Sequence, residues 1–170
     1  WLLEEAKLQR MPKPKALSGK IALVTGSAGG IGKAIAKKFV EEGACVILSD
    51  NDPGRLQEAV KEFTTQYGKD SFASATMDVT KGEEITQSLK VACLAFGGVD
   101  IVVNNAGISI SKPIEEHTEK DWDLLYDILV KGQFLVTQAS VNTMRKQALG
   151  GDVINIVSKN ALVSGPNNAG

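Results

Sequence analysis

Residues 21–32 decide the fold: the apolar run Ile21–Val24 leads directly into Thr25-Gly26-Ser27-Ala28-Gly29-Gly30-Ile31-Gly32. A short, β-branched apolar run predicts a buried strand, and the segment Lys33–Val40 after the glycines has the pattern of a helix. The glycines therefore lie on a strand-to-helix turn, where they bring backbone N–H groups close to a ligand. The free donors and partial positive charge of a helix N-terminus suit a pyrophosphate. The turn predicts nucleotide binding, although glycine also serves plain turns and close packing.

A carboxylate at a suitable distance supports this hypothesis. The second apolar run, Ala44–Ser49, ends at Asp50, eighteen residues after Gly32. In dinucleotide-binding folds an acidic side chain about 20 residues beyond the glycines hydrogen-bonds the adenosine ribose. The alternative is that Asp50 only begins the turn that leads to Gly54. The order of strand, glycine turn, helix, strand and acid favours the binding role.

Composition predicts one soluble globular domain without a nucleic-acid or membrane partner. The chain has 170 residues, of which 43% are hydrophobic and 23% charged, and its net charge is −1. Cys45 and Cys93 lack a CxxC spacing, so we interpret them as core residues of a protein from a reducing, cytoplasmic compartment. The single histidine, His117, cannot assemble a zinc site, and no metal site is expected.

Strands and helices alternate along the chain, which predicts an α/β fold with a doubly wound parallel sheet of the Rossmann type. The expected strands are 21–25, 44–50, 71–77, 99–103 and 152–157. The expected helices are 30–42, 54–67, 81–96 and 118–147, the last starting at the capping signal Thr118–Asp121.

Two motifs in this order resemble the short-chain dehydrogenase/reductase family. They are Thr25-Gly26 with Gly30-Ile31-Gly32, and Asn104-Asn105-Ala106-Gly107 after the strand 99–103. The resemblance covers about residues 19–170. It implies an oxidoreductase that moves a hydride between a nicotinamide cofactor and a small-molecule alcohol or carbonyl. It also implies a homo-oligomer in the full-length protein.

The resemblance implies a set of site residues. Ser158 matches the family's catalytic serine, which orients the substrate oxygen; the alternative is a surface hydroxyl in a loop. Asp78 and Val79 match the position that contacts adenine. The implied cofactor-binding residues are Gly26, Ser27, Gly30, Ile31, Gly32, Asp50, Asn51, Asp78, Val79, Asn105, Ala106 and Gly107.

Two family features are not found in residues 1–170. The family's catalytic tyrosine commonly follows the serine by thirteen residues, which gives position 171, so the sheet is expected to be truncated after the fifth strand. We therefore interpret 19–170 as an incomplete NAD-binding Rossmann domain, inactive by itself. Leu129 occupies the place of the family's asparagine, whose backbone distortion holds a water for a proton relay. Leucine neither donates nor accepts, so the usual relay is not expected.

The residues around Asp50 favour NAD over NADP. The Asp50 carboxylate would hydrogen-bond a ribose diol but repel a 2′-phosphate. No lysine or arginine lies within 27–29, and Asn51 follows Asp50. NAD is the predicted cofactor.

The ends of the chain predict a piece of a longer protein. Residues 1–18 are interpreted as a linker or a connector from an upstream domain, with a frayed terminus as the equal alternative. The segments 1–20, 127–132 and 158–161 resemble bifunctional rhamnulose-1-phosphate aldolase/alcohol dehydrogenases, which implies lactaldehyde as substrate. In an isolated piece the last strand would be an uncovered edge and the apolar residues Leu125, Phe134 and Val141 would lose a partner surface, so we expect poor solubility.

Two other functions stay open. One is a non-catalytic dinucleotide-binding or oligomerisation module, with which Leu129 agrees. The other is a methyltransferase, which also uses a glycine turn and an acid at the second strand end. The three-residue gap between Gly26 and Gly30 and the motif Asn104–Gly107 argue against the methyltransferase.

Overall fold

A computed structural model describes residues 14–163 and residue 165. The strands are β1 (Ile21–Thr25), β2 (Cys45–Asp50), β3 (Phe72–Thr76), β4 (Ile101–Asn104) and β5 (Asp152–Asn155). The helices are α1 (Gly30–Glu41), α2 (Pro53–Tyr67), α3 (Gly82–Phe96), α4 (Glu119–Tyr126) and α5 (Gln133–Gln147). A π-helical segment, Asp127–Gly132, joins α4 to α5, and two short 3-10 turns lie at Ile114–Glu116 and Lys159–Ala161.

The five strands form one parallel sheet in the order β3-β2-β1-β4-β5. The chain builds outward from β1 to β3 and then crosses to β4 on the other side of β1. Strand order therefore reverses between β1 and β4, and open α/β sheets bind ligands in the crevice at such a point. The doubly wound α/β fold expected from the sequence is confirmed.

The central strand, β1, contributes side chains to a hydrophobic core on each face of the sheet, because successive side chains of a strand point to opposite faces. Ala22 and Val24 of β1 belong to the cluster that contains Phe63 of α2, and Leu23 belongs to the cluster that contains Val136 of α5. All five of these side chains are fully buried. Helices on both faces hold the carboxyl edge of β1 in a fixed position.

The last helix is the main departure from the expected boundaries. A single helix was expected over 118–147, but the π-helical segment interrupts it between α4 and α5. The capping signal at its start is confirmed: Thr118 Oγ1 accepts a hydrogen bond from Asp121 N at 3.2 Å, and Thr118 N donates to Asp121 Oδ2 at 3.0 Å. Apolar periodicity does not reveal one widened turn, because the residues before and after it keep a helical pattern.

Three expectations about burial need correction. Cys93 is exposed and Cys45 is only half-buried, so the description of both as core residues is wrong. Leu125 is buried, although it was expected to be left uncovered by the loss of its partner surface. Phe134, in contrast, is 58% exposed, and β5 is the outermost strand of the described sheet.

Most of the expected connector lies outside the described residues, since these begin at residue 14. The start of the described chain is attached to the first helix: Leu17 N donates to Glu42 O at 2.9 Å, just after α1 ends. The boundary at residues 18–19 and the connector role stay predictions.

Candidate functional site

A cleft of about 510 Å³ lies at the carboxyl edge of the sheet, where strand order reverses. Ten of the twelve residues predicted to hold the cofactor line it. They are Gly26, Gly30, Ile31, Asp50, Asn51, Asp78, Val79, Asn105, Ala106 and Gly107. Residues far apart in sequence therefore meet at one site, as the parallel topology requires.

The end of β1 is fixed to the loop after β4 by a compact set of hydrogen bonds. Thr25 Oγ1 accepts from Asn105 N at 2.9 Å and from Ala106 N at 2.8 Å. Asn105 Nδ2 donates to Thr25 O at 2.9 Å and to Gly26 O at 3.2 Å. These bonds satisfy backbone groups that leave the sheet and hold the two sides of the crevice together.

Glycine is needed at Gly30 and at Gly32 of the turn for different reasons. Gly30 has a φ of +53°, where a side chain would be strained, and a Cβ there would meet no protein atom within 4 Å. A Cβ on Gly32 would collide with Gly26 O and lie 2.5 Å from Asn105 Nδ2. Gly32 is thus needed for close packing beneath the turn, and Gly30 leaves the cleft open.

The N-terminus of α1 faces this opening without a cap of its own. Gly29 is the N-cap residue, no side chain accepts a hydrogen bond from the first N–H groups, and the first turn carries no acidic residue. The free donors and the helix dipole favour an anion there. Together with the open space at Gly30, this arrangement fits a phosphate group.

Asp50 is the buried carboxylate of the cleft. Its side chain accepts hydrogen bonds from Ala28 N at 3.1 Å and from Asp52 N at 3.2 Å, one to each oxygen. The residue is 7% exposed. A carboxylate oxygen can accept more than one hydrogen bond, so both oxygens keep capacity for a ligand hydroxyl. Asp50 is therefore held rigidly and still able to bind.

Ser27 and Gly32, the other two predicted residues, lie beneath the cleft and do not line it. Ser27 Oγ accepts from Ser49 N at 2.7 Å and donates to Ser49 O at 3.3 Å. This pair fixes the glycine turn to β2 next to Asp50. Both residues shape the cleft from beneath it.

Asp78 closes the side of the cleft that follows β3. Burial raises the pKa of its carboxyl, but hydrogen bonds from Thr80 N and Thr80 Oγ1 and the nearby Lys81 ammonium outweigh burial, so the net pKa is lowered. Asp78 N donates to Glu84 Oε2 at 2.7 Å. The carboxylate is thus ionised at neutral pH and engaged with its own loop.

The π-helical segment covers the end of the cleft near β4. Ile128 lines the cleft, and a Cβ on Gly107 would lie 3.1 Å from Leu129 Cδ2. A Cβ on Gly132 would lie 2.7 Å from Val79 Cγ2, so Gly132 lets the segment pack on the loop after β3. This wall is apolar.

Ser158 does not line the cleft. It follows β5 by three residues, is exposed, and caps the 3-10 turn, where its Oγ accepts from Asn160 N at 3.2 Å. Asn104 supports this region from within the sheet: Asn104 Nδ2 donates to Thr137 Oγ1 at 3.0 Å and to Asn155 Oδ1 at 2.8 Å. The structure brings the expected binding residues together and leaves the expected catalytic serine apart from them.

Arg55 also lines the cleft, although it was not among the residues predicted from the sequence to do so. Its guanidinium lies directly over Gly29, where a Cβ would collide with Nη2. The sequence holds one signal for this contact. Asp52-Pro53 marks a helix start that places Arg55 in the first turn, five residues after Asp50.

Comparison with known proteins decides the family. The family model described as short chain dehydrogenase matches residues 20–170. The uncharacterized oxidoreductase YuxG of Bacillus subtilis (strain 168) is 41% identical over 167 residues, which are 98% of this chain and 24% of YuxG. The uncharacterized oxidoreductases MW2403 and SAUSA300_2422 of Staphylococcus aureus (strains MW2 and USA300) are 41% and 40% identical over 142 residues. That match is 84% of this chain and 59% of each relative.

The chain belongs to the short-chain dehydrogenase family. It spans about a quarter of the length of YuxG and three-fifths of the length of the two staphylococcal relatives. Short-chain dehydrogenases bind nicotinamide dinucleotides, either NAD or NADP. The open glycine turn, the uncapped α1 and the buried Asp50 fit such a group.

Leu129 separates this chain from the short-chain dehydrogenase pattern of an asparagine at that position. The backbone distortion is nevertheless present, because Asp127–Gly132 is π-helical. Gly132 packs closely on Val79 and Leu129 lies beside Gly107, so the contacts of the π-helical segment at these positions are apolar.

Two further properties of this short-chain dehydrogenase concern metals and membranes. Residues 14–163 contain no cluster of three or more His, Cys, Asp or Glu side chains that would hold a metal ion. Within the described part of the chain, no helix has both the length and the apolarity needed to span a membrane.

Proposed function

We propose that this chain is the cofactor-binding domain of an NAD-dependent oxidoreductase that acts on a small alcohol or carbonyl compound. One observation carries the proposal: the uncapped N-terminus of α1 and the buried carboxylate of Asp50 line the same cleft at the reversal of strand order. An anion and a ribose diol are the two groups that such a pair would recognise.

Each part of the cleft then has a role. The first turn of α1 would hold the pyrophosphate, and Asp50 would accept hydrogen bonds from the ribose hydroxyls. Asp78, Val79 and the loop Asn105–Gly107 would border the adenine. The bound nicotinamide would supply or accept the hydride.

The preference for NAD rests on Asp50 and its surroundings. Its carboxylate would repel a 2′-phosphate, and Asn51 adds no positive charge beside it. Tighter binding of NADP than of NAD by the whole protein would contradict this assignment.

Ser158 is proposed to orient the substrate oxygen. It follows β5 on the same carboxyl side of the sheet as the glycine turn. Ser158→Ala is expected to lower kcat by 10²-fold or more while NAD affinity stays within twofold of wild type, since the residue lies apart from the cleft.

Lactaldehyde is the proposed substrate, within a bifunctional protein that joins an aldolase to this domain. The proposal rests on the resemblance of residues 1–20 and 158–161 to that group. A homo-oligomer is proposed on the resemblance to short-chain dehydrogenases, and a cytoplasmic location on Cys45 and Cys93, which lack a CxxC spacing.

The test is an assay of the whole protein with NAD and a panel of small alcohols and aldehydes that includes lactaldehyde. A change in the absorbance of reduced nicotinamide with at least one of them is the expected result. Calorimetric titration with NAD, NADP and S-adenosylmethionine accompanies the assay. Preferential binding of S-adenosylmethionine would contradict the proposal and favour a methyltransferase.

A non-catalytic binding module is the second candidate function. The apolar Leu129 beside Gly107 favours it, because no side chain at that position can pass a proton. NAD binding without turnover on any substrate of the panel would support this candidate.

A further inference from the structure

A second groove, of about 540 Å³, runs between α3 and α5 on the face of the sheet opposite to α1. Its lining includes Ile85, Leu89, Lys90 and Cys93 of α3 and Leu135 and Lys146 of α5. No residue lines both this groove and the cofactor cleft. The groove is therefore a separate surface, with no part in the proposed hydride transfer.

The groove carries two cations that no carboxylate of the described chain neutralises. Lys90 and Lys146 are exposed and form no ion pair within residues 14–163. No aspartate or glutamate is among the described residues that line the groove. Unpaired ammonium groups beside apolar side chains favour an occupant that has carboxylates next to apolar residues.

The apolar and the cationic parts of the groove lie at different heights along the two helices. Ile85 and Leu135 belong to the first turns of α3 and α5, whereas Lys146 lies at the end of α5. The next residue, Gln147, accepts a hydrogen bond at Oε1 from Val99 N at 2.9 Å, just before β4 begins. The cationic end of the groove is therefore at the amino edge of the sheet, where the strands begin.

The described chain begins close to the same edge. Ile21 N, at the start of β1, donates to Asp100 Oδ2 at 2.9 Å, and Asp100 directly follows Val99. Residues 1–13 precede the described part of the chain, and 13 residues span at most about 45 Å. Since a helix with its side chains is only about 10–12 Å wide, this length is sufficient to reach the groove around the edge.

Residues 1–6 match the groove in charge and in order. Read back from residue 14, Glu5 and Glu4 come before the apolar run Trp1–Leu3. Read inward from the amino edge of the sheet, the lysines of the groove come before its apolar end. Residues 1–6 carry no cation, and the cations at positions 7, 10 and 13 lie between them and the described chain.

We propose that residues 1–6 bind in this groove, with Glu4 and Glu5 paired to Lys90 and Lys146 and with Trp1–Leu3 over the apolar end. The contact attaches the segment before the short-chain dehydrogenase domain to α3 and α5. A connector to an upstream domain would then leave this domain in a fixed direction. The inference goes beyond the proposed function and holds whichever dinucleotide the cleft binds.

Cys93 reports whether the groove is occupied, because its thiol is exposed among the described residues and lines the groove. The measurement is the rate of its alkylation by N-ethylmaleimide in the whole protein, followed by mass spectrometry of the peptide that contains it. Glu4→Lys/Glu5→Lys should raise this rate about fivefold or more, because two exposed ion pairs become repulsive. Glu115→Lys/Glu116→Lys changes an exposed pair outside the groove and should leave the rate unchanged.

A charge reversal on the groove makes the test sharper. In a Lys90→Glu/Lys146→Glu background, Glu4→Lys/Glu5→Lys should lower the rate of Cys93 alkylation, because the pairs form again with exchanged charges. A direct effect of the new lysines on the thiol would have the same sign in both backgrounds, so the change of sign isolates the contact. Cys45 is the internal control for folding: it is half-buried, burial raises its pKa, and its rate should stay constant.

Two results would overturn the proposal. An unchanged rate for Cys93 in Glu4→Lys/Glu5→Lys would show that residues 1–6 do not cover the groove. Protection of Cys93 that is equal in all variants and is lost on dilution would assign the groove to a second copy of the chain. A failure of the protein to bind NAD would contradict the proposed function and leave this contact standing.

Discussion

Helices α1 and α4 begin in opposite ways. The start of α4 is closed by its own residues: Thr118 and Asp121 form a reciprocal capping box, and Lys112 Nζ adds a bond of 2.8 Å to Asp121 Oδ2. The start of α1 has no side-chain cap and no acidic residue, and Gly29 occupies the N-cap position.

The capped start of α4 and the uncapped start of α1 have different roles. Every helix has four N–H groups at its N-terminus without an intrahelical partner. At α4 the chain satisfies part of them and gains stability. At α1 it leaves them free beside an open cleft, which is expected where a ligand supplies the acceptor.

The largest expected effect comes from closing α1 in the manner of α4. Gly29→Asp would place a carboxylate beside the free N–H groups, where it competes with a phosphate, and its Cβ would push aside the Arg55 guanidinium, the far end of a flexible side chain. We expect NAD affinity to fall by about 100-fold, from the combined loss of donors and added repulsion. The free energy of unfolding should change by less than about 0.5 kcal/mol, since Asp exceeds Gly as an N-cap by only a few tenths.

Calorimetry and urea unfolding measure the two quantities. Gly29→Asn has nearly the same size without the charge, and its loss of affinity should be clearly smaller. Unchanged NAD binding in Gly29→Asp would show that the start of α1 does not hold the ligand.

The next effect concerns the packing that keeps the α1 turn open. Gly32→Ala would drive a Cβ into Gly26 O and toward Asn105 Nδ2, so the turn must widen. We expect a loss of about 2 kcal/mol in the free energy of unfolding, as for other overpacked sites, with weaker NAD binding.

Gly82→Ala is the matched control, because a Cβ on Gly82 meets nothing within 4 Å and the residue starts a helix. That variant should be as stable as wild type in chemical denaturation. A Gly32→Ala protein of wild-type stability would mean that the turn tolerates a side chain.

The sequence was sufficient for the features that depend on local pattern. The glycine turn, Asp50 and the motif Asn104–Gly107 each lie at the carboxyl end of a strand, and parallel topology alone brings these strand ends to one edge. The fold class and the position of the cleft follow from that.

The features that were missed depend on contacts between distant segments. Arg55 reaches the cleft only because α2 is placed beside the turn and Gly29 has no side chain. In the π-helical segment Gly132 packs on Val79 of a distant loop, and the apolar pattern of the sequence does not indicate this contact. Cys93 was misjudged because an apolar residue on an amphipathic helix can lie on either face.

A smaller effect is expected when the cap of α4 is removed. Thr118→Ala deletes the acceptor for Asp121 N and should cost about 1 kcal/mol of unfolding free energy. NAD affinity should not change, because this helix start is absent from the cleft. Thr118→Ser should keep the stability of wild type. A loss of NAD affinity in Thr118→Ala would contradict the claim that only the start of α1 binds the ligand.

The smallest effect is a pH dependence at the same cap. Lys112 and then Thr118, through their hydrogen bonds, lower the pKa of the Asp121 carboxyl well below its ordinary range. A lowered pKa in the folded state stabilises the protein at pH values above the unfolded pKa, about 4, and this stabilisation is lost as the pH falls further. Asp121→Asn should therefore flatten the decline of stability below about pH 4.

Thermal unfolding between pH 2 and pH 7 measures this dependence. Asp123→Asn on the same helix is the control, since Asp123 lies outside the capping box. An identical pH profile for wild type and Asp121→Asn would contradict the role assigned to the carboxylate.

The most direct test of the central claim is a titration of the ¹⁵N-labelled whole protein with NAD, followed by amide chemical shifts. The account predicts that the amides of Gly30, Ile31 and Gly32 shift strongly and saturably, while those of Glu119, Lys120 and Asp121 do not. Equal responses at both helix starts, or no response at α1, would contradict it.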